Sequence, residues 1–89
     1  MIKTRTTISN KLGLHARASA KLTKLAGSFP CDVFMRRGER RINAKSIMGV
    51  MMLAAGQGTE VEIETSGERE QEAMQALLAL MADKFGEGQ

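Results

Sequence analysis

Polar and hydrophobic positions alternate most regularly from Thr59 to Thr65, where Val61 and Ile63 interleave with Glu60, Glu62 and Glu64. A period of two places the sets on opposite faces, so this segment predicts a strand with one buried face. Ile2 to Ser9 alternates in part, its β-branched Ile2, Thr4, Thr6, Thr7 and Ile8 set against Lys3 and Arg5, and predicts a first strand. Asn10, Lys11 and Gly13 read as a turn. From about His15 to Ala26 the chain is rich in helix formers with no Pro or internal Gly, and Gly27 suits the C′ position that closes a helix.

Cys31 to Met35 predicts a second strand, Arg36-Arg37-Gly38-Glu39 a turn, and Arg40 to Asn43 the returning strand of a hairpin. Residues 46 to 54 predict a short helix that Gly56 and Gly58 end. Ser66-Gly67 turns into a final helix from about Glu68 to Phe85, with Ala73, Leu77, Leu80 and Met81 on one stripe and acids near its start. Gly86 to Gln89 is expected to fray. The order βαββαβα predicts an α+β fold, with helices covering one face of an antiparallel sheet.

With 89 residues, 43% hydrophobic and 26% charged, the composition is that of an ordinary globular protein, and one domain over residues 1–89 is expected. The longest nearly apolar stretch, Ile47 to Ala55, is far shorter than the roughly 20 residues that span a bilayer. No secretory signal opens the sequence, so a cytoplasmic chain without membrane insertion is expected. One cysteine, Cys31, and one histidine, His15, cannot supply the three or four ligands of a Cys/His zinc site, and no metal or other cofactor is expected. Cys31 reads as a small buried hydrophobe.

Charge is divided unevenly. Residues 1–45 hold eleven Lys or Arg against Asp32 and Glu39, whereas residues 46–89 hold Arg69 and Lys84 against eight acids. So basic a half points to an anionic partner. Nucleic acid is disfavoured because the only aromatics are Phe29, Phe34 and Phe85, which leaves little for base stacking.

The candidate chemistry gathers where the Gly13 turn meets the first helix. A helix start carries unpaired backbone N–H groups and partial positive charge, which makes it an anion site. His15 lies there, and Arg17, a phosphate-binding group, follows two residues on. A neutral imidazole is a nucleophile, so the three features together describe a histidine able to accept a phosphoryl group and hold the resulting dianion. The plain alternative is a surface histidine at a loop edge. On a helical wheel Leu14, Ala18, Leu22, Leu25 and Ala26 form the core stripe, while Ala16, Arg17, Ala20 and Lys24 face away as a small apolar surface rimmed with cations. In the short helix, Val50, Leu53 and Ala54 suffice as core contacts; Met48 and Met51 point outward with Ile47 on the rim, an adaptable surface for docking. Ser46 suits that helix's N-cap, and a phosphate there would be welcome to the helix but repel an acidic partner.

Gly13-Leu14-His15-Ala16-Arg17 and Lys45-Ser46-Ile47-Met48-Gly49-Val50-Met51 resemble the active-site and regulatory-serine segments of HPr, the histidine-containing phosphocarrier family of the bacterial phosphoenolpyruvate-dependent phosphotransferase system. The resemblance covers essentially the whole chain. It implies an open-faced β-sandwich, a four-stranded antiparallel sheet with three helices on one face. It implies a carrier and not an enzyme with its own turnover: His15 would be phosphorylated on Nδ1 by enzyme I, with Arg17 assisting, and would pass the group to a histidine of an enzyme IIA domain. Ser46 matches the serine modified by HPr kinase/phosphorylase, and Ala16, Ala20, Ile47, Met48 and Met51, with Lys24 beside them, match the partner surface of a chain expected to be monomeric. Ala18 stands where many members carry Pro. The alternative is a regulatory module of a nitrogen-type or carbon-control phosphotransfer chain, acting through phosphorylation-dependent protein binding.

Overall fold

In the computed structural model, which describes residues 1–88, the chain runs β1 (Ile2–Thr7), α1 (Ala16–Gly27), β2 (Asp32–Arg37), β3 (Arg40–Asn43), α2 (Ile47–Met52), β4 (Glu60–Ser66) and α3 (Glu70–Ala82), then a single 3-10 turn over Lys84–Gly86. The strands form one antiparallel sheet in the order β1-β4-β2-β3, with the three helices packed over one face as an open-faced sandwich. β4 lies inside the sheet, between β1 and β2, which is why its alternation is the sharpest: Val61, Ile63 and Thr65 are buried beneath the helices, and Ile63 stands opposite both Thr4 and Met35. From the helical side Leu22, Val50, Leu53, Leu77, Met81 and Phe85 close the core.

On the open face the uneven charge is largely answered within the fold. Arg41 bonds the Glu64 carboxylate at 2.7 Å, and Lys3 and Arg5 stand 3.9 Å from Glu64, Glu60 and Glu62. Arg41 also covers the Phe34 ring at 3.8 Å, so Glu64 and Phe34 are shielded on the face that alternation alone assigns to solvent.

Several boundaries differ from the sequence reading. Arg36 and Arg37 extend β2, and the hairpin closes on Gly38-Glu39 alone; Gly38, at φ +60°, takes the first central position of a two-residue turn, where a right-twisted hairpin needs positive φ. Gly27 is the last residue of α1 and not a left-handed C′ residue, because Ser28 ends the helix by donating from both its backbone N–H and its hydroxyl to the Leu25 carbonyl. Ala54 is exposed at φ +52°, and Ala55 takes the buried place expected of it. Arg37 donates to the carbonyls of Leu53 and Ala54 and Arg40 to that of Met52, so the end of α2 is capped from the hairpin. α3 stops at Ala82. Lys84 and Phe85 both enter the left-handed region, reversing the chain so that Phe85 is fully buried.

Candidate functional site

Asn10, fully buried, organises the loop before α1. Its side-chain amide donates to the Gly13 carbonyl at 2.8 Å, and its own carbonyl accepts from the Gly13 N–H at 3.2 Å. Leu14 N–H then donates to the Ala55 carbonyl at 2.9 Å, which fixes this loop against the one following α2. Gly13 is required at this crossing: its φ is +67°, and a Cβ would lie 2.6 Å from the Ala55 oxygen and 2.7 Å from the Gly56 Cα.

His15 is therefore delivered in a defined place, as the N-cap of α1. Its extended backbone accepts from the Ser19 N–H at 2.8 Å, but its side chain makes no capping bond and the first turn holds no acid. The opening N–H groups of the helix thus keep their capacity for an anion. The helix forms without a proline at Ala18, which is fully buried in the core. The imidazole is partly exposed beside an open depression lined by Lys11, Leu12, Arg17, Lys21 and Glu87. The three cations and the helix start favour an anion here and outweigh the single Glu87 carboxylate in the same lining, while Leu12, 68% exposed, gives the depression an apolar lip that the sequence reading did not single out.

Glu87 is the residue that sequence reasoning missed, since Gly86 to Gln89 was expected to fray. Gln89 lies outside the described residues, but Gly86 and Glu87 are held. Lys21 Nζ donates to the Phe85 carbonyl at 2.7 Å; Asn10 Nδ2 donates to Glu87 Oε1 at 2.9 Å; Glu87 Oε2 contacts His15 Nε2. The available signal was Phe85, a large hydrophobe that must be buried and brings the following residues with it, and Gly86, whose φ of +75° permits the turn. The Asn10 amide, foremost, holds the Glu87 carboxyl below the ordinary carboxylate range; burial opposes this, and His15 and Lys21 add to the lowering. A carboxyl lowered on folding adds stability that is complete above its unfolded value of about 4.3 and is lost as pH falls through the folded one. Acid titration followed by NMR should therefore release the Glu87 segment from His15 only at a pH below the ordinary carboxylate range, and Glu87→Gln should flatten that acid limb of the stability profile.

Ala16, Arg17, Ala20 and Lys24 are all exposed on α1, and Ile47, Met48 and Met51 are exposed on α2, which packs against α1. Met52 is exposed as well, an addition to the expected set. Ser46 is the exposed N-cap of α2, its hydroxyl oxygen accepting from the Gly49 N–H at 3.1 Å. Cys31 is buried. No helix of the described residues is long and apolar enough to cross a membrane.

The chain and its fold both match known proteins. Residues 2–83 match the family model described as the PTS HPr component phosphorylation site. The chain is 66% identical to the phosphocarrier protein HPr of Cupriavidus necator over the full length of both, and 54% identical to that of Pseudomonas aeruginosa over 93% of each. Among solved structures, HPr of Thermoanaerobacter tengcongensis superposes with a TM-score of 0.95 at 40% identity, covering 98% of each chain.

Proposed function

The chain belongs to the HPr family of phosphocarrier proteins of the phosphotransferase system, and from that premise we propose that His15 accepts a phosphoryl group on Nδ1 from phosphorylated enzyme I and donates it to a histidine of an enzyme IIA domain. Members of this family are carriers and not enzymes in the usual sense. The observation that carries the reading is the partly exposed His15 ring at an uncapped helix start, with Arg17, Lys11 and Lys21 around it. Electron balance is simple. The Nδ1 lone pair forms the new N–P bond, and the donor's N–P bond breaks, its pair returning to the donor imidazole. Arg17 and the α1 N–H groups hold the equatorial oxygens, where charge is spread during transfer. Phosphoenolpyruvate is the ultimate source of the group.

Ala16, Ala20 and Lys24 on α1 with Ile47, Met48 and Met51 on α2 form the docking surface of this reading. Exposed small and Met side chains let two differently shaped partners approach the same nitrogen in turn, and the cations select acidic ones. Ser46 is the regulatory site: a phosphate there stays compatible with the α2 start yet repels an acidic partner. Ser46→Asp keeps a good N-cap, so its melting curve should match the parent's, while phosphorylation by enzyme I should slow about tenfold. Equal rates would remove Ser46 from the docking surface. For the carrier role itself, the test is intact-mass analysis after incubation with enzyme I and phosphoenolpyruvate. One acid-labile phosphoryl group per chain is expected; no adduct with a demonstrably active enzyme I would overturn the proposal.

A further inference from the structure

Resting on the phosphocarrier reading, we propose that Glu87 is a positioning residue for the transfer: backed by Asn10, it selects the His15 tautomer whose proton is on Nε2 and whose lone pair is on Nδ1. A carboxylate only accepts hydrogen bonds. With one oxygen taken by the Asn10 amide and the other against His15 Nε2, the ring nitrogen that meets Glu87 must be the one bearing hydrogen. The other nitrogen is then the nucleophile. The arrangement is over-determined from behind, because Asn10 is fully buried and also tied to the Gly13 carbonyl, and because Lys21 clamps the chain at Phe85 just before Glu87. Glu87 thus belongs to a braced chain of contacts, Asn10 to Glu87 to His15, of the kind that orients a reacting histidine through a carboxylate.

The same contact serves both directions of the relay. As Nδ1 takes the phosphoryl group, the ring gains positive charge while keeping its Nε2 proton, and the Glu87 carboxylate meets that charge. On donation the N–P bond breaks, its electron pair returns to Nδ1, and with the proton still on Nε2 the ring departs as neutral imidazole instead of imidazolate. No group beyond donor, carrier and acceptor is needed.

The experiment has two arms on the full chain, with Glu87→Ala and Glu87→Gln beside the parent. Gln preserves shape but offers one acceptor oxygen where Asn10 and His15 need two. In the first arm, 15N NMR of the unphosphorylated protein reads the His15 tautomer with no partner present. The parent should show the Nε2–H form alone, and both variants a detectable Nδ1–H population. In the second, phosphorylation by enzyme I and phosphoenolpyruvate should slow about tenfold in both variants, the scale on which loss of a carboxylate orienting a histidine is felt elsewhere. Glu87 lies beyond the last helix and outside the core, so circular dichroism should show both variants folded, with a melting point lowered at neutral pH by loss of the contacts to Asn10 and His15. An unchanged tautomer population overturns the proposal, as does a shifted population with unchanged transfer; faster transfer in Glu87→Ala would make Glu87 a cover over the ring instead. If the tautomer shifts but no chain, parent included, takes up phosphate, it is the phosphocarrier reading that falls, and the role in the reaction goes with it.

Discussion

His15→Ala will carry no acid-labile phosphoryl group after exposure to enzyme I and phosphoenolpyruvate, under conditions in which the parent is fully modified. The chain has one histidine, so no second imidazole can take over. Arg17, Lys11 and Lys21 would still gather anions at the α1 start, but they supply no nucleophile. The loss should be complete rather than graded, because no covalent bond can form. The fold should survive. The His15 side chain makes no capping bond and is partly exposed, so its removal costs the contact to Glu87 and little packing. Intact mass in acid and at neutral pH, with circular dichroism on the same sample, checks both halves of the expectation. An acid-labile adduct on a folded His15→Ala chain would place the chemistry elsewhere.

Gly13→Ala is expected to be the most damaging single methyl group that can be added to the loop carrying the site. At φ +67° any L side chain is strained, by about 1 kcal/mol, and here the methyl would also sit within 2.6 Å of the Ala55 carbonyl oxygen and 2.7 Å of the Gly56 Cα. Both obstacles are backbone, which cannot turn aside as a side chain does. Relief requires the 10–14 loop to part from the 55–56 loop, breaking the bond from Leu14 to Ala55. We expect a loss on the order of 3 kcal/mol, hence a melting point lower by roughly 12 °C or more for a domain of this size. The surviving folded fraction should be a poorer phosphoryl acceptor, since His15 rides on the displaced segment. Gly27 provides the contrast: it sits at a helix end with open space where its Cβ would be, and alanine there should leave the melting point unchanged or raise it. Similar melting curves for Gly13→Ala and the parent would show that the loop crossing is softer than its geometry states.

The helices and strands were legible because each has one buried face, and burial imposes its period on the sequence. Val61 and Ile63 in β4, and Ala18, Leu22 and Ala26 in α1, are core residues on both the pattern and the structure. His15 and Arg17 stood out for a related reason. Their place depends on a turn and a helix start, both local, and the two segments matching the HPr family lie at those starts. The helix ends were less legible. The close of α1 is decided by Ser28 and that of α2 by arginines arriving from the hairpin, so neither follows from the residues of the helix alone.

Glu87 shows the limit of local reading most clearly. It is separated from His15 by 72 positions, its neighbours are Gly, Lys and Phe with no periodic pattern, and a short polar tail is ordinarily solvated. What brings it to the ring is the burial of Phe85, which forces two left-handed residues at the end of α3 and turns the chain back across α1. The amino-acid sequence alone determined the fold class, the α+β order and the histidine at a helix start, since these follow from hydrophobic period and near-neighbour propensity. Only the tertiary structure decided which distant groups surround that histidine, because contacts across the core are set by packing between elements and leave no periodic trace in the chain.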